Sequence, residues 1–220
     1  METASRQWRS SRRRVELGLL AAAALALAPP AGWAARGSEV EAFVDAHNRV
    51  RRSADPAPVP PLAPLRWSER LAASAGRWAA NCRYRHTSDP TVGENLYVST
   101  GDPVASRPDP ERIVDSWAGE RRQYDYVDRG CTGADCLHYT QEVWRSSVEL
   151  GCAIARCEPT RVHPNPFPDF ARDPFYLAVC RYSPPGNYRG QWPYLCDYDG
   201  DGRATDLCRA RSRAVAHSDE

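Results

Sequence analysis

The sequence predicts an α+β domain in which helices cover an antiparallel sheet. Apolar residues recur at helical spacing in three segments, short β-rich runs lie among and after them, and eight cysteines follow an export-type leader. In the first helical segment, 39–52, Val40, Phe43, Val44, His47 and Val50 share one face, and the Pro-rich stretch 56–64 stops the helix. Ser68 is placed to cap a second helix whose inward stripe is Leu71, Ala75, Trp78, Ala79 and Cys82. A third helix opens with Asp109 as cap and Pro110 in its first position, and turns Ile113, Val114, Trp117 and Tyr124 inward. Residues 95–99 read as a short strand, and 148–155 and 175–182 as two stronger ones, joined by a Pro-rich loop over 159–174.

With 42% hydrophobic and 26% charged residues in 220, the chain is neither a disordered tail nor a collagen-like repeat, and it can bury a sizeable core. All 29 basic residues are Arg, and the formal net charge is +1. With the Arg-rich first 34 residues set aside, the remainder is slightly acidic, so charge gives no reason to expect nucleic acid or an anionic membrane as partner. Arg12, Arg13 and Arg14 precede an apolar run over 17–28, then Pro29 and Pro30, then Gly32-Trp33-Ala34 with small residues where a signal peptidase reads. The run is shorter than the roughly 20 residues a membrane span needs, and no other stretch qualifies. Glu16 breaks the apolar continuation that a twin-arginine leader would carry. The expected division is a cleaved signal over 1–34, a core domain over 36–190 and a tail over 191–220. The mature protein is then extracellular or periplasmic, where an even number of cysteines reads as disulfides.

His86 follows the second helix, Gly93-Glu94-Asn95-Leu96 opens the first strand, and Trp117 and Glu120 lie on the third helix. Then come Gly133 to Cys136, His138-Tyr139-Thr140-Gln141, Trp144, Gly151-Cys152-Ala153, and the run from Cys180 to Asn187 that reads C-R-Y-S-P-P-G-N. This order resembles the CAP superfamily, or SCP domain: cysteine-rich secretory proteins, antigen 5 and plant pathogenesis-related 1 proteins. The resemblance runs from about Val40 to Tyr188. It implies a three-layer αβα sandwich with a central antiparallel sheet, in agreement with the layers read from periodicity. It also implies disulfides Cys82–Cys157, Cys131–Cys136 and Cys152–Cys180, which leaves Cys196 with Cys208. The third pairing has separate support, because Cys152 and Cys180 sit inside the two apolar strands that should be neighbours. A bridge closing 82 to 157 contributes about 4 kcal/mol in the chain-entropy model.

The family's cleft carries two His and two Glu, which by motif fall on His86, Glu94, Glu120 and His138. Two imidazoles and two carboxylates suit a four-coordinate borderline cation such as Zn²⁺. A hydrogen-bonded network that only shapes the cleft floor fits the same residues. The two-His metalloprotease helix motif is absent, and Ser146 and Ser147 form no nucleophile elbow. Glu142 stands one helical turn after His138, where it can serve as base, further ligand or ion-pair partner; family members usually carry an apolar residue there. The resulting reading is a secreted protein that binds a small hydrophobic ligand (a sterol or lipid) or an extracellular protein or glycan in this cleft. A metal-dependent or serine-type hydrolase using the same cleft is the alternative, and a calcium-stabilised adhesion module a third. The last rests on Asp197, Asp199 and Asp201 at alternate positions before Gly202, the first half of a Ca²⁺ loop. Its second half departs: position twelve is Cys208, and the last nearby carboxylate is Asp206. A solvated Asp-rich turn, tied by a Cys196–Cys208 bridge, is the alternative to calcium binding.

Overall fold

The computed structural model describes residues 37–100, 106–160, 166 and 172–196. The leader and the Asp-rich loop with Asp197, Asp199, Asp201, Asp206 and Cys208 lie outside the described residues. The first helix is Gly37–Arg52 (α1), and the second is Glu69–Ala79 (α2), with Ser68 extended at its N-cap but making no side-chain capping bond. The third is Pro110–Ala118 (α3); it tightens into a 3₁₀ helix over Gly119–Gln123, so Glu120 lies in that turn rather than on α3 itself. Tyr124 is likewise off the helix, in the first strand of a small hairpin, Tyr124–Asp125 (β3) with Gly130–Cys131 (β4).

Gly93–Ser99 (β2), Glu149–Cys157 (β5) and Phe175–Ser183 (β6) form the sheet expected from the sequence, with β6 antiparallel to both neighbours. Arg66–Trp67 (β1) adds a short parallel edge beside β5, giving the order β1-β5-β6-β2 and making the sheet mixed at that margin. Side chains alternate across a strand. Leu150, Cys152, Ile154, Ala178, Cys180 and Tyr182 therefore face α1 and α3, while Ala153, Ala155, Cys157, Leu177 and Val179 pack with Ala75 and Ala79 of α2. These are the three layers. Cys152 stands opposite Cys180 in register, and the two are bonded within the first core; Cys82–Cys157 ties the end of α2 to β5, and Cys131–Cys136 spans the hairpin's exit. Cys196 is disulfide-bonded, and its expected partner Cys208 is outside the described residues.

The packed unit continues past the expected boundary at 190. Tyr194 and Cys196 are buried, Tyr126 donates to the Tyr194 carbonyl at 2.7 Å, and Pro58 bridges to Cys196. The segment holds few apolar residues, but those few fill the gap between the hairpin and the Pro-rich loop. Gly151 explains the close fit of α2 to the sheet, because a Cβ there would collide with the backbone of Leu71 and Ala72.

The core also holds a polar chain. His47 donates from Nδ1 to the Phe43 carbonyl at 2.8 Å, so its Nε2 accepts from the Tyr182 hydroxyl at 2.9 Å. Burial drops the His47 pKa to about 4. Arg51, also buried, donates to the carbonyls of Ala63, Glu142, Trp144 and Ser147, which staples the Pro-rich loop and the approach to β5 onto α1. Glu142 ends the short helix Leu137–Glu142 (α4). Its position one turn after His138 suggested a role beside that residue, but the carboxyl is fully buried 4.0 Å from His47 Nε2, with neither oxygen hydrogen-bonded. Burial, reinforced by Glu120 and Asp115, raises its pKa well above the ordinary carboxyl value, because an unpaired charge in the core is costly.

Gly151→Ala should lower stability by about 1–3 kcal/mol, measured by urea denaturation, because the helix backbone cannot yield without moving off the sheet. In the wild type, the unfolded state takes a proton on His47 as pH falls from 6.5 toward about 4 while the folded state does not. Up to about 3 kcal/mol is lost across that window, and His47→Gln should lack this loss. Glu142 acts with the opposite sign: above its unfolded pKa of 4.5 only the folded state keeps the proton, so stability falls as pH rises. Glu142→Gln should therefore gain on wild type progressively as pH rises above 4.5, and a constant difference would contradict the burial argument.

Candidate functional site: a cleft at the edge of the sheet

The site forms where β2 ends the sheet. Consecutive residues of a strand point to opposite faces. Glu94 therefore turns toward the α2 layer, where its register partner on β6 is Arg181, and Asn95 turns toward the α4 layer. The four expected side chains divide accordingly into two His–Glu pairs, one on each side of this edge.

The Glu120–His138 pair is the tighter. Glu120 Oε1 accepts from His138 Nδ1 at 2.6 Å, and Oε2 accepts from the backbone N–H groups of His138 and Tyr139 at 3.1 and 3.4 Å. One carboxylate thus caps the free N–H groups of α4 and orients the imidazole. Trp117 stacks on the His138 ring at 5.9 Å between centroids and is itself anchored by donation to the Leu96 carbonyl. Asn95 donates to the His138 carbonyl and to the Tyr182 hydroxyl, which joins the cleft to the His47 chain in the core. Asp135, one turn before His138, brings a carboxylate oxygen to 3.9 Å from Nδ1. Among the described residues, Glu120, Asp135 and His138 are the group whose ligand atoms all lie within 4.8 Å of one another.

On the other side, His86 Nδ1 lies 3.2 Å from Glu94 Oε1, which also accepts from the Thr87 N–H at 2.9 Å. Glu94 Oε2 accepts from both Nε and Nη2 of Arg181 at 3.1 Å, in an ion pair whose side chains are 6% and 3% exposed. Arg181 also donates to Ser74 on α2. Glu94 is consequently a neutralised carboxylate with its lone pairs committed. His86, by contrast, is largely exposed.

His86, Glu94 and His138 line a common cleft of about 360 Å³ together with Asn95, Asp135 and Gln141, and Glu120 supports it by holding His138. Its far wall is the loop Pro185-Gly186-Asn187, pinned to α4 at three points. Gln141 accepts from the Gly186 N–H at 2.9 Å, Thr140 donates to Asn187 Oδ1 at 2.7 Å, and Asn187 donates to the Leu137 carbonyl at 2.8 Å. The glycines of two motifs have a steric reason: a Cβ at Gly93 would strike the Gln141 amide, and one at Gly186 would press on Gln141 and Trp144. Asn187 takes a φ of 58°, in the left-handed region that Asn tolerates better than most residues. On the rim, Leu137 and Tyr188 are exposed. The Tyr84 hydroxyl has a raised pKa, from partial burial first and then from Asp135 and Glu120.

Sequence reasoning did not single out Asp135, Arg181 or Tyr84. The first two lie inside the motifs Gly133–Cys136 and Cys180–Asn187, but nothing in their spacing reveals which partner each meets. Ser147 is buried, with its hydroxyl donated to the Pro184 carbonyl and accepting from Gln141, and neither it nor Glu142 lines the cleft.

The family model described as the cysteine-rich secretory protein family, CAP, matches residues 44–182. The pathogenesis-related protein PR-1 type of Sambucus nigra is 38% identical over 157 residues, which cover 69% of this chain and 80% of that protein. GLIPR1-like protein 1 of Bos taurus is 32% identical over 192 residues, covering 79% and 72%. A crystal structure of NaASP2 with Zn²⁺ superposes with a TM-score of 0.57 at 23% identity, covering 77% of this chain and 90% of that one, a likeness of fold. The motif order, the layered sheet and these matches agree, and the chain belongs to the CAP (cysteine-rich secretory protein) family.

Proposed function

We propose that this protein is exported and binds a ligand in the cleft, with a divalent cation of the zinc type as the polar anchor. The observation that carries the reading is the convergence of Glu120, Asp135 and His138 at mutual distances within 4.8 Å. An imidazole with two carboxylates is a donor set that Zn²⁺ accepts, and a solved structure of similar fold is described as containing Zn²⁺. His138, Glu120 and Asp135 would hold the cation, which would supply a Lewis-acidic centre for a polar group of the ligand. In this reading His86 and Glu94 shape the opposite wall, since Arg181 already occupies Glu94. The exposed Leu137 and Tyr188 offer apolar contact for a sterol, a lipid or the apolar side chain of an extracellular partner. The cleft volume falls within the roughly 300–1,000 Å³ usual for small-molecule sites. Hydrolysis draws no support from the cleft, because Ser147 and Glu142 are both buried away from it.

Export is supported by the leader pattern and by disulfides, which are common in oxidising compartments and rare in the cytosol. The Asp-rich loop over 197–206 is proposed as a second and weaker cation site, of about 10⁻⁴ to 10⁻³ M for Ca²⁺, on its sequence alone.

Calorimetric titration with ZnCl₂ tests the first site. His138→Ala and Asp135→Asn should each weaken binding at least about tenfold, while Glu94→Gln leaves it within about twofold. Zinc affinity unchanged in His138→Ala would refute the site; strong loss in Glu94→Gln would restore all four motif residues as ligands. For the tail, Ca²⁺ titration of the full chain should give a binding heat that Asp199→Ala removes.

A further inference from the structure

A second cavity, of about 410 Å³, shares no lining residue with the cleft. It lies between the C-terminal half of α1 and the turn where α3 tightens into the 3₁₀ helix. Its floor is apolar: Val50, Ala118 and the buried ring of Tyr139. Its rim carries three guanidinium groups, from Arg49, Arg121 and Arg122, against a single lining carboxylate, Asp115.

The charges do not cancel. Arg49 Nη2 donates to Asp115 Oδ1 at 2.8 Å, which fixes that guanidinium on the wall and neutralises the carboxylate. Arg122 folds back so that Nη2 is 4.0 Å from where a Gly119 Cβ would stand, and the missing side chain keeps the cavity open at that point. Arg121 is near enough to Tyr139 that its charge opposes the burial that pushes the hydroxyl up to about 12. The Arg121 carbonyl accepts from the Tyr124 N–H, but the guanidinium groups of Arg121 and Arg122 make no ion pair or hydrogen bond to any described residue. Two unpaired cations beside one small cavity repel each other, and a multiply charged anion between them relieves that repulsion. Guanidinium groups donate in a planar fork that matches the oxygens of phosphate and sulfate. The chain beyond its leader is slightly acidic, so this is a local site and not part of a nucleic-acid track.

We propose that this cavity is an oxyanion site for a phosphate or sulfate monoester, with Arg121 and Arg122 as charge partners, Arg49 as third donor, and the Val50–Tyr139 floor under the ester carbon. The site is independent of the cleft and of any cation there.

Isothermal titration of the full chain with glycerol 3-phosphate and, separately, N-acetylglucosamine 6-sulfate tests it. The double variant Arg121→Gln/Arg122→Gln is compared with Arg77→Gln/Arg112→Gln, which removes the same charge from exposed positions outside the cavity. Saturable binding of at least one ester is expected, weakened at least about tenfold in the first variant, within about twofold in the second, and falling with added NaCl. The ester that binds more tightly identifies the source of the anion. The proposal is overturned if neither ester saturates below about 10 mM, or if both variants lose binding equally.

Discussion

The Glu120 carboxylate is the constraint on which the cleft depends. A helix of six residues cannot hold itself together in water, because nucleation is unfavourable and its end groups outnumber its internal bonds. Glu120 satisfies two of the orphan N–H groups of α4 from outside and the imidazole of His138 from the same side. Once α4 is held, Gln141 and Thr140 project toward the loop 185–187 and fix the far wall. The 3₁₀ turn that carries Glu120 follows Trp117, so one short stretch supplies both the ring that stacks on His138 and the carboxylate that orients it.

The edge strand β2 distributes chemistry to both sides of the cleft. Its alternation sends Glu94 into a buried ion pair with Arg181 and Asn95 to the His138 carbonyl. A buried ion pair costs desolvation that its mutual attraction offsets only when both partners are fully bonded, and here both are. The result is a wall of fixed polarity facing a flank where Asp135 and Glu120 leave acidic oxygens around one imidazole. The asymmetry between two superficially similar His–Glu pairs is what gives the cleft a polar end, next to the apolar rim of Leu137 and Tyr188.

Behind the cleft lies an unusual concentration of buried polar groups. Arg51 keeps its charge by bonding four carbonyls, whereas His47 and Glu142 avoid charge by holding neutral forms that burial favours. The hydrogen-bond chain from His47 through Tyr182 and Asn95 to the His138 carbonyl is continuous, and it ties the buried core to the short helix that carries His138.

The three long helices and the three long strands are legible in the sequence, because periodicity reports which face of a local element is buried; the Cys152–Cys180 bond is what the family resemblance implies, supported by the adjacency of those two strands. The motifs that carry the family resemblance hold glycines that prove to be close approaches at Gly93, Gly151 and Gly186. Periodicity is silent on elements of two residues, so β1 and the β3–β4 hairpin escaped it, and so did the burial of Tyr194 and Cys196 beyond the expected boundary. Packing in three dimensions is what brings Asp135 to His138, Arg181 to Glu94 and Glu142 to His47. Each is a meeting between side chains brought together by packing, and the energy that selects one partner over another comes from burial and hydrogen-bond geometry absent from any local stretch of chain.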